Sequence, residues 1–323
     1  MNRAPGAAIR RLTILAASLV LACAAPSSDD VADTGAAADS TPVEATSLLG
    51  EPLHRPILAA ENRERLETNL ATARAAYERT PTDADSIIWL GRRLAYLGRY
   101  REAIATFGEG IRAHPDDARL YRHRGHRWIT VRQLDSAVAD LSRAAELTRG
   151  QPDAVEPDGA PNRFGIPTST LQSNIWYHLG LAHYLRGDFE RALEAYRECM
   201  RVSTNDDMHV ATADWLYMTL RRLGRDAEAA QVLAPIHADM RILENDAYHR
   251  RLLMYRGELS ADSLLADEAD ALQMATQGYG VGNWYLYEGD TTRAREVFER
   301  VLSYGNWAAF GHIAAEAELA RMR

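Results

Sequence analysis

Gly91 and Gly125, Ala103 and Ala137, and Phe107 and Leu141 form three pairs, each 34 positions apart. A fixed period of that length restricts a chain to a stack of helix–turn–helix units. In the first unit, Trp89-Leu90-Gly91 lies on a helix that ends near Gly98. A second helix carries Ala103, Phe107 and Gly110, and Pro115 closes the unit. Small residues let two helices cross closely, and the large apolar ones fill the gap to the next pair.

The second unit repeats the pattern with Tyr121, Gly125, Trp128, Ala137 and Leu141. The period then breaks. Extra chain lies in residues 148–170, where Pro152, Pro157, Pro161 and Pro167 forbid helix. A third unit resumes with Trp176, Leu179, Gly180, Gly187, Ala192 and Tyr196. A fourth has Leu216, Leu220, Gly224, Ala229 and Leu233, with Tyr217 in place of its first glycine. A degenerate fifth covers about 245–265 around Gly257, and a sixth shows Gly289, Ala294, Phe298 and Val301. Leu66, Leu70, Ala73 and Tyr77 mark a leading helix that ends at Pro81, and an amphipathic helix over 307–322 is expected to cap the far end. The expected fold class is all-α.

The W-x-x-L-G start, followed by Y, A, F and P, resembles the tetratricopeptide repeat, and the resemblance covers most of the chain beyond residue 60. It implies a right-handed α-α superhelix over residues 57–323, with 148–170 as an insertion. It also implies a concave groove, lined by the first helix of each repeat, that binds a protein or peptide. Carried over copy by copy, the groove places are Arg92 and Tyr96; Arg119, Arg122 and His126; Asn174, Tyr177 and Tyr184; Asp214, Arg221 and Arg222; and Tyr279, Asn283 and Tyr287. Two readings of this face stand. It is a groove that grips carboxylates through arginine forks and packs on tyrosines, or it is the solvated surface of a chain whose cations are all arginine. With no lysine in the chain, a lysine-based clamp for a peptide C-terminus is not supported.

The N-terminal end has a different composition. Residues 1–22 combine Arg3, Arg10 and Arg11 with an apolar stretch too short to span a bilayer, as in a secretory signal. Val20-Leu21-Ala22-Cys23 resembles a bacterial lipobox, which implies a lipidated Cys23; an ordinary signal with an incidental cysteine is the other reading. Residues 23–56 are expected to be a flexible linker, poor in apolar side chains to about residue 44. Ala24 after the cysteine resembles lipoproteins sorted to the periplasmic face of an outer membrane, so the expected location is the cell envelope. Loss of three arginines with the signal takes the net charge from −8 to −11. That balance excludes nucleic acid as the expected partner.

Chemistry-bearing motifs are few. Cys199 has no partner once Cys23 is assigned to lipid, and it reads as a buried small residue. His123 and His126 lie three apart on one helix face and His178 falls one unit onward at the place matching His123, within reach of one another for a metal if the units stack closely; half-exposed repeat histidines are the plainer reading. Gly278, Gly280 and Gly282 follow no strand, and no G-x-S-x-G elbow occurs. No cofactor is expected. The insertion is either a lid over the groove near Asn174 and His178 or a mobile surface loop. The expected function is therefore a non-catalytic, lipid-anchored scaffold for an envelope protein or peptide. A carbohydrate or small-ligand receptor and a metal enzyme using the three histidines are the alternatives.

Overall fold

The computed structural model describes residues 41–266 and 271–323. The signal, Cys23 and the linker as far as residue 40 lie outside the described residues. After α1 (Ala60–Arg79), helices run in antiparallel pairs: α2 (Ala84–Tyr96) with α3 (Tyr100–Ala113), α4 (Ala118–Thr130) with α5 (Leu134–Thr148), and α6 (Leu171–Arg186) with α7 (Phe189–Val202). The pairs continue with α8 (Asp206–Arg222) and α9 (Asp226–Leu233), then α10 (Asp246–Tyr255) and α11 (Ala261–Ala266). A short α12 (Ala271–Gln273) passes through a π-turn, Met274–Gly278, into α13 (Tyr279–Tyr287), which pairs with α14 (Thr291–Ser303) before α15 (Phe310–Arg321). The architecture is an all-α solenoid of helical hairpins. No helix among the described residues is long and apolar enough to cross a membrane.

Local chemistry explains the elements. Asp83, Asn205 and Asp290 cap α2, α8 and α14 by accepting backbone N–H bonds, and Thr170 with Ser173 forms a reciprocal capping box on α6. Within each well-formed hairpin, a glycine on the first helix faces a large side chain sixteen positions later. Gly91 meets Phe107, Gly125 Leu141, Gly180 Tyr196 and Gly282 Phe298, and a methyl group added at any of them would collide with that neighbour. This is the physical content of the 34-residue pattern.

Three expectations need correction. Residues 41–56, placed in the flexible linker, are folded: β1 (Val43–Thr46) and β2 (Pro52–His54) pair antiparallel. The hairpin is fastened because Glu44 is buried, pairs with Arg55 at 2.6 Å and accepts the Arg101 backbone N–H at 3.1 Å. Secondly, α15 is not an amphipathic cap. Every residue from Phe310 to Leu319 is buried, and the helix packs against α6, α13, α14 and the π-turn. Its small side chains and Gly311, which lies against the Ala275 carbonyl oxygen, allow that approach. Thirdly, the hollow side is therefore not open along its length.

The closure centres on Arg132. It occupies the turn position where the preceding unit has Gly98, 34 residues earlier, and it keeps the left-handed backbone of that glycine, with φ 63°. Such a conformation costs a non-glycine residue about 1 kcal/mol. Its side chain compensates by reaching Glu316 of α15 at 2.5 Å and the Trp307 carbonyl oxygen at 2.7 Å, with both ionic side chains nearly inaccessible. Glu316 also accepts the Leu48 N–H and lies 3.3 Å from His312. Burial works to raise the Glu316 carboxyl, but His312 and Arg132 outweigh it and hold it at about 2. Its folded value is depressed, so its contribution is complete above its ordinary 4.5 and is lost as pH falls toward about 2.

Glu316→Ala should destabilise the protein by about 3–5 kcal/mol, because it leaves Arg132 buried without its counter-ion. Arg132→Gly combined with Glu316→Gln removes both charges and the backbone strain, and should cost clearly less. Urea unfolding of the three proteins measures this; equal losses in both variants would show that the charge pairing is not what closes the solenoid.

Candidate functional site

Residues 149–170 run as an extended strap across the first helices of successive hairpins. The strap returns on itself through a single bridge between Val155 and Thr170, with Leu171 N–H donating to Ala154 O at 2.8 Å. From α2, Arg92 donates to Pro157 O at 2.8 Å and Arg93 to Gly159 O at 2.9 Å. From α4, Arg122 pairs with Glu156 at 2.9 Å, and both side chains are less than a tenth exposed. From α6, Asn174 donates to Ser169 Oγ at 3.0 Å, and Asn205 at the start of α8 donates to Thr168 O at 3.1 Å. Beyond α9, the Glu244 carboxylate accepts from Asn162 and from the Thr168 hydroxyl. Burial raises the Glu244 carboxyl above its ordinary value.

Beneath the strap lie two cavities that share Thr168, Ser169, Asn174 and Glu244 in their walls. The first, about 80 Å³, is bounded by Arg92, Tyr96, Phe107, Arg122 and Glu156. The second, also about 80 Å³, is more apolar and is bounded by Tyr177, Met208, Tyr248 and Phe310. The insertion thus folds against the solenoid, as the lid reading expects, with cavities left between it and the helices.

The structure divides the expected groove residues. Arg92, Tyr96, Arg122, His126, Asn174 and Tyr177 border the strap or its cavities. Tyr184, Asp214, Tyr279 and Asn283 do not face an open groove; they are buried and bonded inside the protein. Tyr279 donates to the Tyr184 hydroxyl at 2.9 Å, and Asn283 donates to the same oxygen at 2.8 Å. Asp214 is ion-paired with Arg251, and burial pushes its carboxyl up to about 7 against the pull of that guanidinium. Arg222 pairs with Glu318 of α15 at 2.7 Å. Arg119 sits at the edge, bound to Asp117 and Asp85, and Arg221 binds Asp226 and Glu288 while covering the Tyr287 ring. Burial of Tyr184 and Tyr279 takes two rings out of the aromatic groove on which a carbohydrate receptor rested, while Tyr96, Tyr177 and Tyr287 are only half-buried.

The metal reading of His123, His126 and His178 is corrected. Among the described residues, no group of three or more His, Cys, Asp or Glu side chains is placed to hold a metal ion. The rings are instead packed: His123 stacks on Phe107 at 5.7 Å, and His126 lies 4.4 Å from His178, both against Phe310. The His178 Nδ1 sits 2.5 Å from the Asn174 carbonyl oxygen, so that nitrogen carries the proton. Burial, and then nearby arginines (Arg122 for His123 and His178, Arg127 for His126), lower all three well below the ordinary histidine value.

Glu244, Arg93 and Asn162 were not legible as site residues. Arg93 lies one place beyond the groove position Arg92, and Glu244 falls between repeats where no pattern operates.

A tetratricopeptide-repeat family model matches residues 173–206, which span α6, α7 and the start of α8. The chain therefore contains a tetratricopeptide repeat within its hairpin solenoid. Among curated proteins it is similar to the BBSome complex member BBS4 of Bos taurus, 23% identical over 160 residues, covering 48% of this chain and 27% of that protein. It is also similar to Tetratricopeptide repeat protein 13 of Homo sapiens, 29% identical over 108 residues, covering 33% of this chain and 10% of that protein. The chain spans about a quarter or less of the length of these relatives. Similar solved structures include a tetratricopeptide repeat protein from Parabacteroides merdae, with TM-score 0.46 and 13% identity over 81% of this chain and 94% of that one. Another is YrrB, described as a TPR protein with an unusual peptide-binding site, with TM-score 0.42 and 15% identity over 72% and 91%.

The three neutral histidines give a pH prediction. Their folded values lie below the ordinary 6.5, so the unfolded chain binds protons that the folded one refuses. These rings should lower stability as pH drops below about 6.5, by up to about 1.4 kcal/mol per pH unit each, offset in part by Asp214, whose raised carboxyl takes up a proton in the folded state over the same range. Urea unfolding between pH 7.5 and about 5 tests this, and His126→Asn should flatten the slope. An unchanged slope in that variant would show that His126 takes up its proton in the folded state.

Proposed function

We propose that the protein is a non-catalytic scaffold that holds an extended segment of a partner protein on the first helices of its hairpins. One observation carries this reading: side chains from α2, α4 and α6 already grip an extended, non-helical stretch of polypeptide by two carbonyls, one carboxylate and one hydroxyl. Such a surface recognises backbone and acidic groups without needing helix or strand in the ligand. The relatives named as a repeat protein and as a complex member are compatible with it.

Anchoring belongs to the same proposal. The lipobox-like Val20-Leu21-Ala22-Cys23 supports lipidation of Cys23, and the Ala- and Ser-rich stretch after it supports a leash between membrane and solenoid. Ala24 supports the periplasmic face of an outer membrane. The scaffold would then present its strap side to other envelope proteins.

The test is photo-crosslinking in intact cell envelopes, with a photoreactive residue placed at the exposed Phe164 and Cys23→Ala as comparison. The wild-type chain should fractionate with membrane and the variant should be released. A discrete crosslinked protein should be recovered with the wild type and reduced with the variant. Release of both forms would refute the anchor, and absence of any crosslinked protein would refute the scaffold.

A further inference from the structure

The strap is attached in an unusual way for a structural segment. Its large apolar residues point outward: Val155 is 61% exposed, Phe164 49% and Ile166 42%. Only Val43 is comparably exposed among the other large apolar side chains described. What holds the strap inward is polar: the Arg92 and Arg93 bonds to carbonyls, the Arg122–Glu156 pair, and the bonds of Asn174, Asn205 and Glu244. The chain buries little apolar surface there, and two small cavities lie between it and the helices beside those bonds. Segments of this kind open at low free energy compared with a packed core.

The same contacts state what the surface beneath recognises. Glu156-Pro157-Asp158-Gly159 lies with its carboxylate on Arg122 and alternate carbonyls on Arg92 and Arg93. Gly159 passes so close to Tyr96 and Arg92 that a methyl group there would collide with both. The contacts favour an acidic residue and an extended backbone of the kind proline promotes.

We propose that the strap is a stand-in, and that the surface under it binds an extended acidic, proline-containing segment of a second protein, which displaces residues 156–159. The proposal rests on the scaffold reading and names the chemistry of its partner. The outward Val155, Phe164 and Ile166 give such a partner an apolar landing point before exchange. Arginine is suited to the exchange, since its fork binds an incoming carboxylate in the same geometry as the one that leaves.

The probe is a fluorescent synthetic peptide of residues 153–169, read by anisotropy against the full chain. In one variant, residues 154–169 are replaced by a short Gly-Ser linker; the ends are close, since Asp153 Oδ1 lies 3.0 Å from Gln172 N. This variant should bind the peptide at least tenfold more tightly than the wild type. Arg122→Ala in the same background, or glutamine for the glutamate in the peptide, should each weaken binding at least tenfold. Should the shortened chain not fold, Glu156→Gln in the intact chain serves instead, and it should also bind the acidic peptide at least tenfold more tightly than the wild type. A helical, cooperatively unfolding variant that ignores the peptide, or that binds the glutamine form equally, overturns the proposal while leaving the crosslinking test of the scaffold untouched. Wild-type dimers that disappear with Glu156→Gln would make a second copy of this chain the occupant, and would overturn the assignment to a separate partner.

Discussion

The buried Arg132–Glu316 pair decides what kind of solenoid this is. A stack of hairpins needs only nearest-neighbour contacts and can continue or stop at any repeat. Here a turn in the second hairpin binds the last helix, and the same carboxylate holds the backbone of the β-hairpin at Leu48. Three parts of the chain far apart in sequence share one buried acid. Because both ionic side chains are nearly inaccessible, the pair cannot be exchanged for water; any other seating of α15 would leave a charge uncompensated. The pair is better understood as fixing the position of α15 than as a large source of stability.

Once α15 is seated, the inner surface is divided in two. Its deeper part is filled by α15 and by the network of Tyr184, Tyr279, Asn283, Arg222 and Glu318, which satisfies polar groups that would otherwise line a channel. Its shallower part, over α2, α4 and α6, is left to the strap. Functional recognition is therefore confined to the part of the concave face that α15 does not reach. The neutral histidines lie at the boundary, packed between Phe107 and Phe310, and they form a wall between the two regions.

The hairpins were legible because their determinants are local. The glycine that meets a large side chain sixteen positions later, the capping residues and the proline-rich break all lie within one repeat, and the observed helices follow them closely. The closure was not legible, because its determinants are pairs such as Arg132 with Glu316 and Arg222 with Glu318. Glu316 and Glu318 resemble ordinary surface charges on an amphipathic helix until their partners from distant turns are known. The same holds for the groove: Arg92, Arg122 and Asn174 came from positions read one repeat at a time, and they do meet the strap. Tyr184, further along the same helix as Asn174, and Asp214 and Tyr279 of later repeats came from the same pattern, but α15 and its neighbours cover them.

Arg132 shows one position at which the chain departs from a plain repeat array. The period calls for glycine there, and a glycine would adopt φ 63° without strain while offering no side chain. Arginine accepts the strained backbone and gains a buried partner, two carbonyl contacts and the Trp307 ring at 5.3 Å. The substitution is unfavourable for the turn taken alone and favourable only when α15 is present to receive it. Without α15 the arginine would keep its strained backbone and lose its counter-ion, so the turn and α15 have to be regarded as one structural unit.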